Sequence, residues 1–257
     1  MLAHGIEDSA AGHNSIWRFY DLTDAWNSGD VNKWIASGKF TNIFPGCYIR
    51  KTKTIDGVTY TDHIDIIVEC DPYLGKGDGN NSFITQHHVA VVPYEHLGTS
   101  YMNAANTSEG GFVNSYLYKT TLPKYLAGYK NAYGAGHILT FGSLLSNKTN
   151  ATAVAPGCTA WTGIAIDWAW YSVQITLLSE VQVYGSRVWG GSYDVGEANS
   201  QLAAFRLNQQ LLHFKNGTFW LRAVTSLTHF AHAGSYGDAG NWHASNVRFV
   251  RPLLLLY

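Results

Sequence analysis

Two short apolar-and-arginine anchors near the C-terminus constrain this chain most: Trp220-Leu221-Arg222 and Val250-Arg251-Pro252. Both read as strand, over 220–224 and 248–256, with Pro252 implying a strand start or an edge position. A third strand is expected over 228–233. The residues between the anchors, 223–249, have a different character. They are rich in His, Tyr, Trp, Ser, Asn and Gly and hold no Lys, Glu, Gln or Met. Rigid amphipathic aromatics beside small, adaptable polar groups make the composition of a binding surface.

The rest of the chain alternates short helices with strands. Residues 21–38 read as helix, with Asp21 or Thr23 capping one piece and Asp30 another that carries Val31, Trp34 and Ile35 on one face. Tyr48 to Thr54 and Val58 to Cys70 read as strands joined by Asp56-Gly57, a hairpin dipeptide that tolerates positive φ. In the second strand Ile64, Ile66 and Val68 alternate with Asp65, Ile67 and Glu69. Leu74 to Asn81 is a loop, and His88 to Pro93 a short buried strand. Residues 112–133 form the long helical candidate, its apolar face Tyr116, Leu117, Leu122, Leu126 and Tyr129, split or kinked by Pro123. A strand over 137–141, a turn over 147–152, a Ser179-capped helix stopped by Gly185, an irregular stretch over 187–200 and a helical turn over 202–207 complete the reading. This is an α+β pattern: short helices around a small, mostly antiparallel sheet with long Gly-rich loops.

Composition narrows the function. Charged residues are only 14% of 257, against about 25% in ordinary globular domains, while aromatics reach 14%, with nine Trp and sixteen Tyr. That fits a surface partly covered by partners, with some aromatics on a contact face. The net charge of −1 and the lack of a Lys/Arg cluster argue against nucleic acid as a partner. No apolar run reaches membrane-spanning length, so no membrane insertion is expected, and the opening residues lack the features of a signal peptide. Cys47, Cys70 and Cys158 are too few and too widely spaced for a disulfide framework and read as buried thiols.

The anchors, together with Ser226, Phe230, Gly237, Ala239, Ala244 and Ser245 at their spacing, resemble the C-type-lectin-fold variable proteins diversified by retroelements, common in bacteriophages as receptor binders at tail or fibre tips. Residues 86–94, 97–99, 106–111 and 179–186 look like scaffold phrases of the same family, so the resemblance spans 40–257. In that family a reverse transcriptase rewrites adenines in Asn-type codons. Such codons never yield Lys, Glu, Gln, Met or Trp; the first four are absent here, and Trp242 departs from the pattern. The resemblance implies a C-type lectin-like domain over 40–257, with a variable region at about 223–249 on an exposed sheet edge and its loops. Residues 1–39 would be an N-terminal helical segment for assembly or docking.

It also implies which residues do what. Trp220, Leu221, Arg222, Phe230, Gly237, Ala244, Arg251 and Pro252 would be scaffold. His229, His232, Ser235, Tyr236, Asp238, Asn241, Trp242, His243, Ser245, Asn246 and Arg248 match variable positions and would contact ligand, as would Phe249, where the family more often has Gly. The implied protein is a non-enzymatic adhesin of the virion. Its partners would be a host cell-surface protein or glycan and other virion proteins, and it would be displayed as a homo-oligomer such as a trimer. The alternative is a structural tail or head-decoration subunit that uses the same patch for protein contacts.

Other constellations carry less. His87-His88 are neighbours in an extended segment and point to opposite faces, which disfavours a shared metal and favours hydrogen bonds within the scaffold. The stretch 71–80 lacks the closing Glu of a calcium loop, and Gly75-Lys76-Gly77 lacks the spacing of a phosphate loop. The same fold houses formylglycine-generating enzymes, which need a reactive cysteine pair in the C-terminal part. No cysteine follows Cys158. Neither a cofactor nor a metal is expected.

Overall fold

The computed structural model describes residues 9–78, 83–149, 165–191 and 200–257. Among these the strands are β1 (Tyr48–Ile55), β2 (Val58–Cys70), β3 (Val89–Pro93), β4 (Thr99–Tyr101), β5 (Phe141–Thr149), β6 (Ala165–Val173), β7 (Thr176–Leu177), β8 (Phe219–Val224), β9 (His229–Ala233), β10 (Ala239–His243), β11 (Val247–Phe249) and β12 (Pro252–Leu256). The helices are α1 (Ala10–His13), α2 (Thr23–Asn27), α3 (Asp30–Ala36), α4 (Leu122–Tyr133), α5 (Glu180–Tyr184) and α6 (Ala203–Leu207). The class is α+β, and the sheets are larger than the small one expected.

The first sheet starts from the Asp56-Gly57 turn. Both residues adopt positive φ, 51° and 80°, the geometry whose twist matches two antiparallel strands. β1 and β2 pair in register from Ile55↔Val58 to Tyr48↔Ile66, with an irregularity at Lys51–Lys53. The long β2 then recruits β3, and the order β1-β2-β3-β12-β7 follows, antiparallel throughout. β3 and β12 are buried along their whole length. The expected alternation in β2 fails from Ile64 to Val68, where every residue is buried. The reason is cover on both faces. α4 lies across β1 so closely that a Cβ on Gly128 would sit 2.7 Å from the Thr54 carbonyl oxygen.

The helices are set by local signals. Ser179 caps α5 in a reciprocal box: its Oγ accepts from Gln182 N at 3.1 Å, and Gln182 Oε1 accepts from Ser179 N at 2.8 Å. Gly185 ends the helix at φ 80°. Ser179→Ala is therefore expected to cost about 1 kcal/mol in thermal or urea unfolding; an unchanged midpoint would remove the box from the fold's essentials.

Elsewhere the expectations need correcting. Gly29, at φ 80°, precedes α3 where Asp30 was expected to cap; Asp30 is instead its first residue and accepts from Lys33 and Ser28. The long helix breaks at Ser115, which is extended, and not at Pro123: a wide π turn at Leu117–Thr121 runs on without interruption into α4, whose second residue is Pro123. The buried stripe of α4 is Leu122, Tyr125, Tyr129 and Tyr133, while Leu126 is half-buried and Tyr116 exposed. The strand expected over 137–141 does not form: His137 closes a 3₁₀ turn over Ala135–His137, and Ile138 makes only an isolated bridge to Leu256. β5 begins at Phe141 and runs through the expected turn to Thr149, because it pairs along its length with β6. The remainder of that turn, much of the 187–200 stretch and Cys158 lie outside the described residues.

The N-terminal helices pack into the common core. Leu22, Trp26, Val31 and Ile35 join the same cluster as Val89–Val92 and Leu253–Leu256. The buried Asn14 side chain accepts from Cys70 N at 2.8 Å and donates to Cys70 O at 2.9 Å. Cys47 and Cys70 are buried free thiols.

Candidate functional site

The second sheet has the order β10-β9-β8-β11-β4, so β10 is an edge strand. The 223–249 segment supplies β9, β10 and β11 of this sheet. β9 and β10 pair antiparallel from Ala233↔Ala239 to His229↔His243. The turn between them closes through Gly234 N donating to Asp238 O at 2.8 Å, with Gly237 at φ 81°.

Scaffold residues hold this hairpin in place. Trp220, Leu221 and Phe230 are fully buried. Trp220 Nε1 donates to Ser100 O at 2.9 Å, and Arg222 Nη1 donates to Ser143 Oγ at 2.9 Å. Ala244 is buried and fastened by two backbone bonds, donating to Thr228 O at 2.7 Å and accepting from Asn103 N at 3.0 Å. Ser108 sits beneath the β8–β9 turn, its N donating to Leu227 O and its Oγ to Ser226 O. Arg251 and Pro252 lie at the junction to β12 and are buried.

The twelve contact candidates separate by exposure. Tyr236, at the tip, is 84% exposed and Trp242, on β10, 46%. Asp238 and His243 are also exposed, while Ser235, Asn241, Ser245, Asn246, Arg248 and Phe249 are half-buried. His229 and His232 differ from the expectation, each only 8% exposed. His232 lies over Gly240, where a Cβ would come within 2.6 Å of its ring. His229 Nδ1 is 2.7 Å from Thr228 Oγ1 and 2.9 Å from Ser226 Oγ. Phe249 stacks on His96 at 3.7 Å between centroids, which occupies its face.

Two contact groups result. On β10 the Trp242 ring carries the Arg248 guanidinium at 5.1 Å, with His232 edge-on at 6.2 Å. Nearby, His243 packs on His229 at 4.0 Å, and its Nδ1 lies 2.7 Å from Asn106 Nδ2. Burial, then the Arg248 charge, pushes His232 down to about 4. Burial and then His243 also lower His229. Among the described residues His232 Nδ1 and Arg248 Nε are buried without hydrogen-bond partners. Asn106, Tyr184 (whose hydroxyl donates to Asp238 O) and Trp189 (whose Nε1 donates to Ala239 O) also frame the hairpin. They are far away in sequence; Asn106 and Tyr184 fall in stretches that resemble scaffold phrases, and no local pattern marks Trp189.

Other polar clusters are built differently. Lys53 Nζ meets Asp65 Oδ2 at 2.7 Å with both side chains fully buried. Tyr129 and Tyr133 donate to the same carboxylate at 2.9 and 2.5 Å. No substrate reaches a cluster closed on every side. His87 and His88 both engage Asp71: His87 Nδ1 lies 2.6 Å from Oδ2, and His88 N donates to Oδ1 at 2.9 Å. Among the described residues no group of three His, Cys, Asp or Glu side chains is placed to hold a metal ion, and no helix is long and apolar enough to cross a membrane. One cavity of about 410 Å³ is lined by Tyr60, Tyr101, Tyr116 and Val247. Another of about 370 Å³ is lined by Tyr94, Lys215 and Arg251.

No protein-family model, curated protein or solved structure matches this chain.

Proposed function

We propose that this chain is a non-enzymatic ligand-binding protein of C-type lectin-like fold, a phage adhesin that attaches to a host cell-surface protein or glycan through its β9–β10 hairpin. One observation carries the reading. Trp242 and Tyr236 stand exposed on an edge hairpin whose register is held by buried residues. Exposed aromatics grouped with His, Asp and Arg on a rigid support are the anatomy of a binding hot spot, where ring area is gained at low entropic cost. Display of several copies on a virion, as in a trimer, would multiply a weak single-site affinity.

The test is binding of the purified protein to candidate host cells, with Trp242→Ala and Tyr236→Ala as variants. Loss of about 2 kcal/mol, roughly thirtyfold, is expected for Trp242→Ala. Undiminished binding by both variants would overturn the assignment of the surface. A second reading is a structural virion subunit. It would use the same patch for protein contacts, and the exposed apolar residues Ile16, Phe19 and Tyr20 would add a further contact surface. Sequencing the gene from several isolates separates the two. Variation confined to 223–249, with an adenine-differing near-copy and a reverse-transcriptase gene beside it, supports the adhesin. A frozen segment with neither supports the subunit.

A further inference from the structure

Among the described residues Arg251 is a cation with no counterion. Its side chain is fully buried, and no carboxylate pairs with it among the described residues. Nε donates to Pro93 O at 3.2 Å and Nη1 to Leu211 O at 2.7 Å, while Nη2 is buried with no acceptor. Phe214, Phe219 and Phe205 surround the guanidinium at 4.4, 4.9 and 5.2 Å. Ring faces offset part of the cost of burying this charge but supply no acceptor. Burial lowers its pKa to about 9, so it remains charged at neutral pH.

The 370 Å³ cavity lies against this arginine. Its wall also carries Tyr94, Asn208, Gln210, Lys215 and Asn216. Lys215 pairs with Glu95 across the Tyr94 ring, so Arg251 is left as net positive charge. The rim is strained: Phe214, Lys215 and Asn216 take φ of 37°, 52° and 64° in succession, a left-handed run that non-glycine residues rarely adopt. Such runs cluster at ligand clamps. The rim also adjoins the hairpin tip, since a Cβ on Gly237 would meet Leu212 at 3.0 Å.

We propose that this cavity is a carboxylate-binding site anchored by Arg251, with the amides of Asn208, Gln210 and Asn216 as its neutral donors. A single free Nη2 and a ring of amides suit the oxygens of one carboxylate, whether a sugar acid's or a peptide's. Nη2 itself is covered, so the incoming oxygen reaches it as the Phe214–Asn216 rim gives way. The site is independent of the hairpin reading.

The experiment titrates the intact, ¹⁵N-arginine-labelled protein with acetate, glucuronate and N-acetylglutamate, with acetamide and glucose as neutral controls at constant ionic strength. The readout is the Arg251 Nε–H resonance. A saturable shift with carboxylates and none with neutral analogues is expected, and tighter binding of glucuronate or of N-acetylglutamate distinguishes the sugar from the peptide source. Arg251→Lys risks unfolding, so Asn208→Ala and Asn216→Ala serve as the variants. Each is expected to weaken binding roughly tenfold, while Trp242→Ala leaves the response unchanged. Absence of a saturable carboxylate shift up to roughly tens of millimolar, or a shift indifferent to both asparagine variants, overturns the site.

Discussion

Asp65→Ala is expected to lower stability by about 3–5 kcal/mol, the cost of leaving one partner of a buried pair without its counter-charge. Lys53 would be the stranded group, enclosed with no route to water. Its remaining polar neighbours are the His63 carbonyl oxygen at 3.4 Å and His63 Nδ1 at 3.4 Å, with the Tyr129 and Tyr133 rings at 5.1 and 5.9 Å. His63 Nε2 lies 3.2 Å from Glu95 O, so a neutral ring donating there leaves Nδ1 free to accept from the lysine. Burial lowers the His63 pKa and keeps that form in place. The same substitution removes the acceptor of both Tyr129 and Tyr133. At about 2–4 °C per kcal/mol for a chain of this size, the melting temperature should fall by about 10 °C. Asp65→Asn retains acceptor capacity but not charge, and should fall between Asp65→Ala and the wild type. Lys53→Met combined with Asp65→Asn should cost less than Asp65→Asn alone, because no buried charge remains. Urea unfolding measures all three. A change below 1 kcal/mol for Asp65→Ala would mean that Lys53 finds water or another acceptor.

The second large effect is acid sensitivity centred on the hairpin. His232 protonates at about 4 in the native protein, and its ordinary value is 6.5. Between these values the unfolded chain binds a proton that the native chain does not, so stability rises with pH across the window. The contribution is fully present above about pH 6.5, falls by about 1.4 kcal/mol per pH unit on acidification and levels off below about pH 4, a total of about 3 kcal/mol. His229, whose pKa is also lowered by burial, adds in the same direction. Stability should be followed by denaturant unfolding from pH 7.5 to 4 in wild type and His232→Gln. The glutamine variant is expected to lose most of the slope while carboxylate contributions stay common to both. Parallel curves would show that the ring is charged in the native state or solvated by water.

What was legible in the sequence was local. Asp56-Gly57 marks a hairpin because two consecutive positive φ values suit few other residue pairs. Ser179 with Gln182 marks a helix start because both halves of the cap lie within one turn. The outline of the hairpin between the two anchors, 228–233 and its return, was half visible: β9 was expected and β10 was not. β10 reads Ala-Gly-Asn-Trp-His, with none of the β-branched residues that mark a strand, and its pairing with β9 makes it one. The fate of Asp65 was hidden for a related reason. An acidic residue between isoleucines reads as the wet face of a strand, and only α4, some sixty residues later, turns that face into the interior. His232 reads as a surface contact because nothing nearby announces that Gly240, across the hairpin, leaves room for its ring. The Arg251 cavity draws its wall from Tyr94, the 208–216 segment and the last anchor, three stretches that no spacing rule connects.

The two five-stranded sheets are joined by a very short connection. The chain leaves the second sheet at Phe249 and enters the first at Pro252, with only Val250 and Arg251 between, and β12 then runs buried between β3 and β7. Tension on the hairpin edge therefore has a direct load path into the protein's interior. It would be resisted in shear by the hydrogen-bond ladders on both sides of β12, all loaded at once, rather than peeled open one bond at a time.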